Sequence, residues 1–322
     1  MKRLLLLAAA LAVAAAVSAA PAAPRADHHQ HVFSPAVAEL FGGGFKPITA
    51  RDVIALLDEA GIERAVLLSA AYSYGRPSRS VPDEYAKVRA ENDWVAAEAA
   101  RYPRRLVAFC GFNPLKDYAL RELERCARDP NLRRGIKLHI GNSDVRLDDA
   151  EHVAKLGRIF QAANERGMAI VVHLRASISL KRPYGADEAR IFLEKLLPLA
   201  PRVPVQVAHL AGSGPGYEDP PARAVMSVLA DAMARGDPRT RNLWVDLATI
   251  VSREPPPETA ALIVRLIRQA GPSRVLYGTD AAAGNNLRPR EAWEAIARLP
   301  LTAEELAWIA ANVAPYLLFD GQ

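Results

Sequence analysis

The chain has 322 residues, half of them hydrophobic, and a formal net charge of +5. That length supports one large core or two ordinary domains. No Lys/Arg block stands out and no aromatic residues are interleaved with basic ones, which argues against a nucleic-acid-binding surface; the arginines are spread over helix faces.

Met1-Lys2-Arg3 is a short basic start, Leu4 to Val17 is apolar and alanine-rich, and small residues follow through Ala23. This is the layout of a secretory signal peptide over residues 1–23, so the chain is expected to be exported, to the periplasm or outside the cell. The apolar stretch is short for a membrane span and no second one follows, so no stable span is expected after processing. Loss of Lys2 and Arg3 takes the charge from +5 to about +3. Cys110 and Cys126 are the only cysteines. Export permits them to pair, and their apolar surroundings equally suit two buried thiols.

After the leader, short apolar runs alternate with longer amphipathic ones. The runs are Ala26–Phe33, Ala65–Ala70, Leu106–Phe112, Gly135–His139, Ala169–Leu174, Val205–Leu210, Leu243–Leu247 and Arg274–Thr279. Each is β-branched or aliphatic and bounded by Gly, Pro, Asn or charge, as buried parallel strands are. Helical patterns span Ala50–Ala60, Asp83–Tyr102, Asp117–Arg128, Asp149–Arg166, Asp187–Leu197, Pro221–Arg235, Pro256–Ala270 and Pro289–Leu299. A last helix, Ala303–Val313, follows Thr302 with Glu305 in capping-box register. Eight strands alternating with helices predict an α/β protein, a single (β/α)8 TIM barrel over residues 24–322. No dinucleotide-binding fingerprint follows the first strand, and Gly42-Gly43-Gly44 reads as a turn or flexible lid.

In such a barrel the functional residues lie at the C-terminal ends of strands. His29 and His31 alternate on the first strand and so face the same way. Later strand ends offer Tyr72 and Tyr74, Asn113, Lys137 and His139, His173, His209, Asp246 and Asp280. His29, His31, His173 and Asp280 make a three-nitrogen, one-oxygen set suited to zinc or a similar divalent ion. Asp280 is then placed to take a proton from an activated water, with His209 as a second catalytic group that polarises a carbonyl or shuttles a proton. Asp27 can orient a ligand from behind. Lys137, His139, Tyr72, Asn113 and Arg175 are candidate substrate contacts, the cations for an anionic one. His28 is expected to point away from its neighbours, His152 to be solvated, and Asp246 to pair with interior polar groups.

The Asp-x-His-x-His of residues 27–31, Gly-Ile-Lys-Leu-His of 135–139, the strand-end His173 and His209, and Tyr-Gly-Thr-Asp of 277–280 resemble the amidohydrolase superfamily. The match is closest to its amidohydrolase-related branch, whose C-terminal signature Ile309-Ala-Ala-Asn312 with Leu317-Leu318-Phe319 resembles. The resemblance implies His29, His31, His173 and Asp280 as ligands of one divalent metal ion and His209 as a catalytic histidine. In binuclear relatives a strand-four lysine, here Lys137, is carboxylated and bridges two ions; in this branch one ion is usual and the lysine positions a substrate carboxylate or packs. The resemblance implies a hydrolase of a small ester, lactone or amide. The branch also contains non-oxidative decarboxylases of aromatic and muconic-type acids, and a non-catalytic binding protein could keep the same barrel. The partner is a small molecule, and a homo-oligomer is compatible with the sequence. Specificity is expected in loops 32–48, 71–82, 140–148, 175–186, 211–220 and 281–288.

Overall fold

The computed structural model describes residues 22–282 and 286–319. The predicted leader falls almost wholly outside the described residues.

The apolar runs form eight strands: β1 (Ala26–Gln30), β2 (Arg64–Leu68), β3 (Leu106–Gly111), β4 (Gly135–His139), β5 (Ala169–His173), β6 (Val205–Val207), β7 (Leu243–Asp246) and β8 (Val275–Leu276). They pair in sequence order, each parallel to the next. His28 N donates to Tyr277 O at 2.9 Å and Asp280 N to His29 O at 2.7 Å, so the segment leaving β8 returns to β1 and closes the barrel. The architecture is the predicted (β/α)8 barrel.

Alternate residues on each strand have opposite fates. Val66, Leu68, Val107, Phe109, Ala169, Val171 and Leu276 fill the barrel interior. Their neighbours Ala65, Leu67, Ile136, Leu138, Ile170 and Val172 pack outward under the helices. Gly135 is required on β4, because a Cβ there would lie 2.2 Å from the ring of Phe109. Ala314, Tyr316 and Leu317 plug the floor of the interior. Arg64 and Arg134 hold this plug by donating to the carbonyls of Leu317, Tyr316 and Leu318.

Helix α2 (Ala50–Ala60) begins at Thr49, whose side chain caps Asp52 N in a capping box, and stops at Gly61 in the left-handed region. α3 (Glu84–Ala100), α4 (Ala119–Arg128), α6 (Ala150–Glu165), α8 (Pro220–Ala234), α9 (Pro257–Ala270), α10 (Pro289–Ala297) and α11 (Ala303–Ala311) match their predicted spans to within about two residues. α7 (Ala186–Ile191) is shorter than predicted: it loosens into a π turn over Phe192–Leu196 and a 3-10 turn over Leu197–Leu199, where Pro198 ends the regular ladder. Two short helices sit in segments read as loops, α1 (Pro35–Phe41) and α5 (Ile140–Ser143). Among the described residues no helix is long and apolar enough to cross a membrane.

Cys110 of β3 and Cys126 of α4 form a disulfide, which resolves the open question in favour of pairing. It closes a loop of 16 residues and ties α4 to the barrel wall. Reduction is expected to lower stability by about 3 kcal/mol, from the freedom returned to the unfolded chain. Thermal melts with and without reductant check this; coincident curves would show the bond idle.

Candidate metal centre

Several predicted strands end early, and the deviations at β1 and β6 shape the site. β1 carries an extra residue between Asp27 and Gln30 relative to β2. His28 is turned toward the floor, where Nδ1 meets Tyr277 O at 2.9 Å and Nε2 accepts from Ala314 N at 3.1 Å. His29 and His31 turn toward the mouth. β6 stops at Val207 rather than at Leu210. His209, Leu210 and Ala211 then take positive φ values of 57°, 45° and 65°. Asp246 Oδ1 accepts His209 N at 2.8 Å, which draws the backbone out of the strand. Left-handed geometry at a non-glycine residue costs about 1–3 kcal/mol, and here it aims the His209 ring inward.

Five imidazoles share the mouth. Ring centroids are 5.5 Å apart for His29 and His31, 4.4 Å for His29 and His209, and 5.0 Å for His173 and His209. His139 stacks on His173 at 3.9 Å. All five are held neutral, burial being the largest cause. The Lys137 ammonium adds to the effect in each and lies 3.3 Å from His29 Nε2.

The neutral tautomers follow from the partners. His29 Nδ1 donates to Asp246 Oδ2 at 3.0 Å, His31 Nδ1 to Leu68 O at 2.5 Å, and His209 Nδ1 to Ala248 O at 2.9 Å. Each therefore carries a lone pair on Nε2. His139 is the opposite case: its Nδ1 accepts from Asn142 N at 3.1 Å, so its proton is on Nε2. His173 Nε2 lies 3.2 Å from Ser213 Oγ.

Ligand-capable atoms of His29, His31 and Asp280 all lie within 4.8 Å of one another, as do those of His29, His209 and Asp246. Asp280 Oδ1 is 3.7 Å from His31 Nε2 and is a buried oxygen with no hydrogen-bond partner among the described residues. Burial raises the Asp280 pKa and lowers that of Lys137, and each opposes the shift of the other. An orphaned carboxylate oxygen facing imidazole lone pairs fits a divalent cation. Predicted ligand His173 stands beside His209 but outside both groups, engaged by Ser213.

Asp27 does what a buried orienting carboxylate should. It accepts from His29 N at 3.0 Å, Gln30 Nε2 at 2.9 Å, Thr279 N at 3.1 Å and Thr279 Oγ1 at 2.5 Å. Gly278 is needed beside it, since a Cβ would lie 2.9 Å from His29 Cβ. Asp246 pairs with interior polar groups as expected, including Gln206 Nε2 at 2.6 Å.

The predicted substrate contacts divide. Lys137 is buried at the centre, and Tyr72 packs against His139 at 5.0 Å on the turn Ala71–Gly75. Asn113 is otherwise engaged: it donates to Gly75 O at 2.7 Å and accepts from Leu115 N at 2.9 Å, so it braces loops. The Arg175 fork is taken by Asp219 at 2.7 and 3.2 Å, and its guanidinium lies over Tyr184. Tyr74, offered by the same strand end, is buried. His152 is half-buried and accepts from Arg146 N at 3.0 Å. Gln206 lies before the strand end, where functional residues are not expected, and its one signal in the sequence is a glutamine inside the apolar run Val205–Leu210.

The sequence profile of the amidohydrolase family matches residues 26–314. The chain belongs to the amidohydrolase-related family of the amidohydrolase superfamily. No curated protein matches this amidohydrolase significantly. Solved structures share its fold. A 5-carboxyvanillate decarboxylase from Sphingomonas paucimobilis is 17% identical with a TM-score of 0.62, the match covering 90% of this chain and 97% of that one. A 5-carboxyvanillate decarboxylase from Novosphingobium aromaticivorans, complexed with manganese, is 14% identical with a TM-score of 0.60, over 90% and 94%. A probable 2-pyrone-4,6-dicarboxylic acid hydrolase from Acinetobacter baumannii is 16% identical with a TM-score of 0.54, over 88% and 95%.

Behind the mouth, Glu91 of α3 takes Ser34, the α1 cap, through both its oxygens. Burial pushes the Glu91 pKa up from 4.5 to about 7 against these bonds. The folded state then holds more protons than the unfolded one between those values, so stability falls as pH rises through that window. The expected loss is about 3 kcal/mol. Glu91→Gln is expected to flatten the profile and to exceed the parent at pH 8 in a melt series; superimposed profiles would disprove it.

Proposed function

We propose that this amidohydrolase is a metal-dependent hydrolase acting on a carbonyl of a small ester, lactone or amide. The observation that carries the reading is the convergence at the barrel mouth of His29, His31 and an Asp280 oxygen without a hydrogen-bond partner among the described residues. These groups, with His173 once released from Ser213, would hold one divalent ion; the nitrogen-rich set suits zinc. Such an ion supplies Lewis acidity and makes water acidic near neutral pH.

The chain's own groups do the rest. The Asp280 carboxylate takes the proton of the attacking water, and burial brings its proton affinity nearer the working pH. His139, protonated on Nε2, donates to a substrate oxygen. His209 presents a lone pair, which suits a ligand or a proton acceptor; a neutral ring in this tautomer cannot donate to a carbonyl from Nε2. The buried Lys137 ammonium favours a substrate bearing a carboxylate. Tyr72 walls the pocket beside His139. The leader over residues 1–23 is proposed to send the chain out of the cytoplasm.

A decarboxylase reading is favoured by the shared fold with 5-carboxyvanillate decarboxylase over 90% of this chain. In it Asp280 or His209 would return a proton to the ring carbon. The deciding assay offers lactones, esters and amides alongside carboxylated phenols. Acid release from the first group supports the hydrolase. Carbon dioxide release from the second, without acid release from the first, replaces it with the decarboxylase.

A further inference from the structure

We infer that the hydroxyl of Tyr316, on the barrel floor, positions His29 at the mouth through Gln206 and Asp246. Tyr316 donates to Gln206 Oε1. Gln206 Nε2 donates in turn to Asp246 Oδ2 at 2.6 Å and to His28 O at 3.1 Å. The same Asp246 oxygen takes His29 Nδ1 at 3.0 Å. All four side chains are buried.

The direction of each bond is dictated by chemistry. Asp246 Oδ2 and His28 O are acceptors, so the Gln206 amide must present its nitrogen to them. Its oxygen then faces the floor, where only a donor satisfies it. Tyr316 is that donor, and among the described residues Gln206 Oε1 has no other partner. With Gln206 so oriented, Asp246 accepts from His29 Nδ1–H, and the His29 lone pair is left on Nε2. The other Asp246 oxygen is fixed by His209 N at 2.8 Å and Ala248 N at 3.1 Å, so the carboxylate cannot turn away.

Without the phenol, the Gln206 oxygen is orphaned in the interior and the amide loses the contact that anchors its floor end. An amide free to shift weakens its bond to Asp246 Oδ2 and loosens the carboxylate that holds the His29 ring. Outer hydrogen-bond partners of metal-binding histidines tune affinity by about 10–100-fold. Tyr316 is thus a positioning residue, acting from the far end of the barrel on a group it does not touch. The ring itself packs on Phe109 at 5.0 Å, so its hydroxyl and its bulk serve separate ends.

The inference rests on the proposed role of His29 as a metal ligand, and two readouts keep the failures apart. Zinc titration by calorimetry is expected to show about tenfold weaker binding for Tyr316→Phe and at least as large a loss for Gln206→Leu. Leu317→Ala, which loosens the same floor without touching the hydroxyl, is expected to lower Tm and leave zinc affinity unchanged. Parent-like affinity in Tyr316→Phe and Gln206→Leu, or an equal loss in Leu317→Ala, overturns the inference. The second readout uses metal-free protein with nitrogen-15 histidine, the His29 signals assigned against His29→Gln. The parent is expected to show one fixed His29 ring protonated on Nδ1, and Gln206→Leu and Tyr316→Phe exchange-broadened His29 ring signals as Asp246 loses the donor that steadies it. Ring signals as sharp as the parent's in both variants overturn the inference. If the parent binds no zinc, the metal reading fails and the broadening alone decides the positioning.

Discussion

Asp280→Asn is expected to reduce turnover by about 10²–10⁴-fold on any substrate the parent hydrolyses, while the chain still folds. Asparagine keeps the volume and one oxygen but cannot accept a proton from water. The backbone of residue 280 is held independently of its side chain, by donation of its N–H to His29 O at 2.7 Å and by Asn286 Nδ2 at 2.8 Å from its carbonyl. Fold and chemistry are therefore separable at this position. Initial rates with metal saturating, together with circular dichroism, check the outcome. Parent-like turnover in Asp280→Asn would remove Asp280 as the proton acceptor.

Asp246→Ala is expected to be the most destabilising single substitution at the site. Its carboxylate collects His29 Nδ1, Gln206 Nε2, His209 N and Ala248 N, all buried. Alanine leaves those donors without an acceptor, at about 1–3 kcal/mol for each that water cannot reach. It also releases the left-handed turn at His209 and the ring of His29 together. A net loss of about 3–5 kcal/mol is expected in denaturant melts, with a drop in metal affinity beyond that of Tyr316→Phe. A loss below about 1 kcal/mol would mean that water replaces the carboxylate and that the turn holds itself.

The barrel was legible because its strands are short buried runs and its helices carry their own boundaries, as Thr49 and Gly61 do for α2. Strand alternation put His29 and His31 on one side in the sequence, and both turn to the mouth although β1 is bulged and ends at Gln30. Strand-end position alone brought Lys137, His139, His209 and Asp280 to one mouth. What escaped was set by contacts distant in sequence. The early end of β6 depends on a hydrogen bond from His209 N to Asp246, 37 residues away. The loss of Arg175 to Asp219 and of Asn113 to Gly75 depends on how loops fold over one another. Helix α1 was different: Ser34-Pro35 is a cap followed by a first-turn proline, and that signal lay in the sequence unread.

The disulfide shows a related limit. Cys110 and Cys126 sit on a strand and on the helix that follows it, and either pairing or two buried thiols satisfied the sequence pattern. Only the packing of α4 on β3 decides between them, and it brings the two sulfurs together.

The most direct test of the account is the metal content of the protein, purified without chelator and measured by elemental analysis beside His29→Ala and Asp280→Ala. The account predicts about one divalent transition-metal ion per chain, lost or sharply reduced in both variants. A parent that carries no metal and takes none up on titration would contradict it.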